Sequence, residues 1–129
     1  LGMDEIIKHY ADYIKKEYNA EPGFITMNLP GMVDLCERLD IKNPIICSSI
    51  NKIGFRMSNS IEEYEEYLNS DREFRPIAMQ VLAAGALKPE EAIEYVCRFA
   101  KIESILFGAS SRGHIQQTKE LIEKYSGNR

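Results

Sequence analysis

The sequence predicts an α/β fold of parallel βα repeats, a four-stranded half of an eight-stranded TIM (β/α)8 barrel, and three observations carry that prediction. Short apolar runs at 24–28, 44–51, 76–82 and 104–109 alternate with amphipathic stretches of helical period. Within each run apolar residues follow one another instead of alternating with polar ones, as in strands buried on both faces. The runs begin about 20 to 32 residues apart, which is barrel spacing, and 129 residues is about half of the ~250 in a complete barrel. A small open sheet of flavodoxin type alternates strands and helices in the same way and is the competing architecture.

Each element has a local reason. From Asp4 to Tyr18, Ile6, Ile7, Tyr10, Tyr13 and Ile14 recur at helical spacing among lysines and glutamates. The chain thus opens on a helix, as though a preceding strand were missing. Pro22 and Gly23 bound the first strand, and Pro30-Gly31 opens a helix with Met32, Val33, Leu35, Cys36 and Leu39 on one side, ending near Asp40. After the second strand and a Gly-containing loop at 52–59, Ser60-Ile61-Glu62-Glu63 is a capping-box pattern that starts a helix through Tyr64, Tyr67 and Leu68. In the third strand, alternation puts Ile77, Met79 and Val81 on one face and Ala78, Gln80 and Leu82 on the other. Pro89-Glu90-Glu91 places proline and acids at a helix start, followed by a buried stripe of Ile93, Val96, Cys97 and Ala100. Ser110-Ser111-Arg112-Gly113 leads into a last helix bearing Ile115, Leu121 and Ile122.

Composition excludes several classes. A hydrophobic fraction of 44% with 28% charged residues suits a single domain with a core, and excludes disorder and low complexity. A net charge of -4 argues against a nucleic-acid binder, which needs clustered basic surface. No apolar run spans a membrane, and Leu1-Gly2-Met3-Asp4 is not a signal peptide, so a cytoplasmic location is expected. Leu1-Gly2 ahead of Met3 reads either as an added remnant or as the cut end of a longer chain. Cys36, Cys47 and Cys97 lack metal-site spacing and read as small buried hydrophobes, so no metal is expected.

In a βα barrel the functional face lies at the carboxyl ends of the strands, and the polar residues there are the candidates. Asn28 closes the first strand and Ser48, Ser49, Asn51 and Lys52 the second. Lys52, Gln80 and Asn51 are the weak catalytic candidates: a lysine for Schiff-base or general-base work, and two amides that equally well satisfy loop backbone. Gln80, sharing a face with Ala78, is expected to look into the barrel. The sharper signal is the last two strand-to-helix turns, where Gly85 and Ala86, then Gly108, Ala109, Ser110, Ser111 and Arg112, form a candidate anion or cofactor site. Glycines let backbone amides approach a ligand, and a helix start attracts negative charge. Equally, the glycines serve tight turns and Ser110 or Ser111 caps the last helix. His114 stands close by, whereas His9 and the glutamates at 62–66 fall on charged helix faces. The sequence contains no set of acid, base and nucleophile that commits it to a reaction.

Pro-Ile-Ala-Met-Gln-Val-Leu-Ala-Ala-Gly at 76–85, Pro-Glu-Glu-Ala at 89–92 and Ser-Ile-Leu-Phe-Gly-Ala-Ser-Ser at 104–111 resemble the closing segment of aldo/keto reductase-like barrels. They stand for the seventh strand, its helix, and the eighth strand with its turn; 44–51 and 24–28 resemble the sixth and fifth strands. The resemblance implies that Gly108, Ser110, Ser111 and Arg112 contact a phosphate of NADPH. It also implies that the catalytic tyrosine, lysine, aspartate and histidine belong to the first half of the barrel. The last turn is similar, too, to phosphate sites of aldolase-like and sugar-phosphate barrels.

The expected function is therefore the carboxyl-terminal half of a barrel enzyme, holding the phosphate of NADPH or of a small phosphorylated substrate. The alternative is a non-catalytic half-barrel module or stable fragment that pairs with a partner or itself. Half a barrel has two open edges and an apolar interior, so a symmetric homodimer or a missing amino-terminal half is the expected partner.

Overall fold

Four strands, β1 (Gly23–Thr26), β2 (Ile45–Ser49), β3 (Arg75–Met79) and β4 (Ser104–Ile105), form one sheet in the order β1-β2-β3-β4. Every neighbouring pair is parallel. The computed structural model describes residues 2–127; Leu1 lies outside the described residues. Helices α1 (Met3–Tyr18), α2 (Leu29–Arg38), α3 (Ile61–Leu68), α4 (Pro89–Cys97) and α5 (Arg112–Ser126) alternate with the strands. Consecutive strand order has no reversal point, so the sheet is not the flavodoxin-type alternative.

All the helices lie against one face. The strand residues in the two core clusters are Phe24, Ile46, Ala78 and Ile105, which share a face by register. On that face α2 buries Leu29 and Val33, α3 buries Tyr64, Tyr67 and Leu68, and α4 buries Ala92, Ile93, Tyr95 and Val96. The smaller cluster holds α1 to α2 and β1 through Ala11, Cys36 and Ile41, with Ile7 and Phe24 packed against them. The opposite face carries Ile25, Cys47 and Ile77 in one row, none of which belongs to either cluster. Ile25 is 74% exposed, on a strand type that sequence alone reads as buried on both sides.

Local chemistry explains the boundaries. Pro76 sits in an inner strand because its missing N–H falls on the β4 side, one residue before pairing with β4 begins at Ile77. Asn28 caps α2 by accepting from Gly31 N–H at 3.0 Å, and a Cβ on Gly31 would lie 2.5 Å from the Asn28 amide nitrogen. A larger residue there would displace the capping side chain. Ser60 caps α3 through the Glu63 N–H, as the capping pattern predicts. Tyr64 reaches from α3 to the β1–α2 turn, donating to Met27 carbonyl and accepting from Leu29 N–H.

Several expectations are corrected. The strands are shorter than their apolar runs: β3 stops at Met79 because Gln80 is left-handed, with φ +54°. Helix α4 ends at Cys97, leaving Ala100 exposed while Phe99 takes the buried place. In α5 Ile115 is exposed, and Thr118, Leu121, Ile122 and Tyr125 form the inward stripe. Cys36 and Cys47 are buried as read, and burial, with Glu37 adding to it, raises the Cys36 thiol to about 11; Cys97 is only half-buried. No described helix is long and apolar enough to cross a membrane.

Candidate functional site

At the carboxyl ends of β3 and β4 the loops enclose a cleft of about 520 Å³. Its floor is apolar: Met79, Val81 and Leu82 after β3, Ile105, Leu106 and Phe107 from β4 onward, and Ile93 from α4. Phe55 and Arg56 close it from the loop after β2, and Gln80 and Thr118 add polar groups. A second hollow of about 290 Å³ shares Leu82, Gly108 and Thr118 with the cleft and is lined further by Ala109, Ser110 and His114.

Asn51 builds one wall, and this is where the structure places that candidate. Fully buried, its Nδ2 donates to Phe55 carbonyl at 2.9 Å and to Gln80 carbonyl at 3.3 Å, while Oδ1 accepts from Phe55 N–H at 2.8 Å. Both ends of the amide are occupied, so Asn51 positions the loop and does not meet a ligand. The Met57 side chain is buried beneath the same loop. Gln80 is the candidate that does face the cleft. Its left-handed backbone carries the side chain to Ser49, whose hydroxyl donates to Oε1. Ser49 pairs with Met79 and therefore lies on the face opposite Ala78, so the face expected for Gln80 is corrected. The Nε2 of Gln80 has no acceptor among the described residues.

Lys52 points elsewhere. Its ammonium pairs with Glu91 of α4 at 2.5 Å, and this contact holds the Glu91 carboxyl below its ordinary value. Of the anion-site candidates, the amides of Gly85 and Ala86 are spent inside their own turn, donating to Leu82 and Ala83 carbonyls. Ser111 caps α5 through the His114 N–H, the alternative that the sequence left open. Gly108 lines both hollows, with Ala109 and Ser110 on the second, and their amides have no acceptor among the described residues. Arg112 is the exposed first residue of α5. Among the described residues no cluster of His, Cys, Asp and Glu has the arrangement of a metal site.

Backbone strain singles out the same place. Among the described residues eight non-glycine residues have positive φ; four are Asn or Asp, which tolerate it. The other four are Arg56, Gln80, Ala83 and Ala84, and all stand at the cleft or in the turn that forms its edge. Each costs on the order of 1–2 kcal/mol in this conformation. Neither Arg56 nor Phe55 stands out in the sequence; the Gly54-Phe55-Arg56 turn after a strand was the only signal.

No family model matches the chain, and neither a curated protein nor a solved structure matches it. Among the described residues the cleft lining contains no Asp, Glu, His, Lys or Cys, so these residues offer binding surface, one guanidinium and amide dipoles, without an acid–base pair.

Proposed function

We propose that the chain is the carboxyl-terminal half of a βα-barrel enzyme and supplies the binding side of its site, gripping the phosphate of NADPH or of a small phosphorylated substrate at 108–112. The observation that carries this reading is the singly wound sheet: four parallel strands in consecutive order, helices on one face, and the hollows at the carboxyl ends of the last two strands. The unpartnered amides of Gly108, Ala109 and Ser110 and the start of α5 favour an anion there. With no acid–base pair in the cleft, the proton-transfer groups come from the other half.

Among the described residues five helices accompany four strands, with α1 beside β1 and α5 following β4. A closed barrel has one helix per strand, so two copies would bring ten helices to eight places. This favours a complementary half, on another chain or elsewhere in a longer one, over the symmetric homodimer. Titration calorimetry with NADPH and with a sugar phosphate tests the grip, and binding should weaken about tenfold in Arg112→Ala and in Ser110→Glu. Binding indifferent to both changes overturns it. A discrete dimer by light scattering would restore the self-paired module.

A further inference from the structure

We propose that the cleft between the loops after β2, β3 and β4 binds a flat, largely apolar molecule carrying a single carboxylate, with Arg56 receiving the charge. The assignment stands on the cleft alone and does not need the barrel-half reading. The volume, about 520 Å³, is in the range of small-molecule sites, which pair an apolar lining with a few placed polar groups. Two phenyl rings, Phe55 and Phe107, line the cleft and give a planar body aromatic surface to pack against.

The charge follows from the count of polar groups. The Arg56 guanidinium lies 5.3 Å from the centroid of the Phe55 ring and has no carboxylate partner among the described residues. Its planar fork matches a carboxylate in two parallel hydrogen bonds. A phosphate dianion in this lining would meet one cation and keep a charge unpaired against apolar walls, which is costly. Gln80, whose Nε2 has no acceptor among the described residues, lines the same cleft and adds a further donor.

The site is also held ready. Asn51 fixes the loop that carries Phe55 and Arg56, and the left-handed residues keep Arg56 and Gln80 at the cleft. Strain at four non-Asx residues, all at one cleft, is what a pre-organised binding site retains and a passive turn sheds.

Calorimetry with 1-naphthoate, 1-naphthamide and 1-naphthyl phosphate reads this directly. Naphthoate should bind at least about tenfold more tightly than the amide and than the phosphate ester. Arg56→Gln should erase the preference for the acid over the amide. Phe55→Leu should weaken both, and Ile25→Ser, on the open sheet face, should change neither. Equal binding of acid and amide, no heat with any probe, or an unaltered preference in Arg56→Gln overturns the proposal, as does tighter binding of the phosphate. Loss of naphthoate binding in Ile25→Ser would mean adsorption to the open face, and would overturn it too. Because Arg56 is exposed, its variant keeps the fold, which circular dichroism verifies. The phosphate grip is tested separately: Arg112→Ala should leave naphthoate binding intact.

Discussion

The two ends of the sheet are built on different physics. At the amino end, Arg72 stacks on Tyr67 at 4.3 Å from the ring centroid and pairs with Asp34 and Glu37, Arg75 pairs with Glu21, and Lys101 donates to Arg72 carbonyl. These cations are paired with or stacked on the chain's own groups, and the positive-φ residues at this end are Asn19, Asp40 and Asn43. At the carboxyl end the Arg56 charge is unpaired, the lining is apolar, and the turns hold residues in conformations they resist. The amino-end cations are held within the chain; at the carboxyl end Lys52 is likewise paired with Glu91, whereas Arg56 has no carboxylate partner among the described residues. That division between a stabilising end and a working end is the one expected of βα architectures.

The largest effect should come from the buried strut between the loops. Asn51→Ala leaves both polar groups of Phe55 without a partner and should cost about 3 kcal/mol in urea unfolding, with ligand binding lost. A loss below 1 kcal/mol would show that the working end is not pre-organised. Next, Arg72→Ala should cost about 1 kcal/mol, discounted because these pairs are well exposed, and should leave binding at the cleft unchanged. Equal damage to binding would dissolve the contrast between the ends. Ala84→Gly should do the reverse, raising stability by about 0.5–1 kcal/mol by relieving φ +55° while weakening ligand binding. The smallest effect is with pH. The hydrogen bond to Asp34, aided by burial, raises the Tyr67 phenol to about 12 from an ordinary 10.0. The folded state favours the protonated phenol, so its contribution is complete below pH 10 and disappears as pH rises towards 12. Alkaline unfolding of Tyr67→Phe should be flatter across that window, and a curve identical to the parent's would remove this contact from the amino-end network.

Periodicity and punctuation made the order of elements legible. Ser60, Pro89 and Ser111 mark helix starts by side-chain chemistry that needs only neighbouring residues, and all three are where the structure begins a helix. Strand ends were less legible, because an apolar run at 76–82 looks the same whether Gln80 continues the strand or turns left-handed. The candidate site was half visible. The turns at the ends of β3 and β4 are legible as turns from their glycines and hydroxyls, whereas Arg56 and Phe55 are not singled out, since nothing local tells an exposed loop arginine from one lining a cleft. Asn51 and Lys52 were visible as polar residues after a strand, and only their partners, Phe55 and Glu91, give them structural roles.

By itself, then, the sequence determined the alternation of strands and helices and the parallel sense of the sheet, because hydrophobic period, caps and breakers act over a few residues. Tertiary structure alone decided which face the helices cover, which leaves Ile25 bare and Ala78 buried although both belong to apolar runs. It also decided that Gln80 turns toward Ser49 and that Arg56 meets an apolar cleft without a counter-charge. The reason is range: these outcomes depend on residues about 25 to 50 positions apart brought together by strand pairing, and no local pattern encodes who will stand opposite.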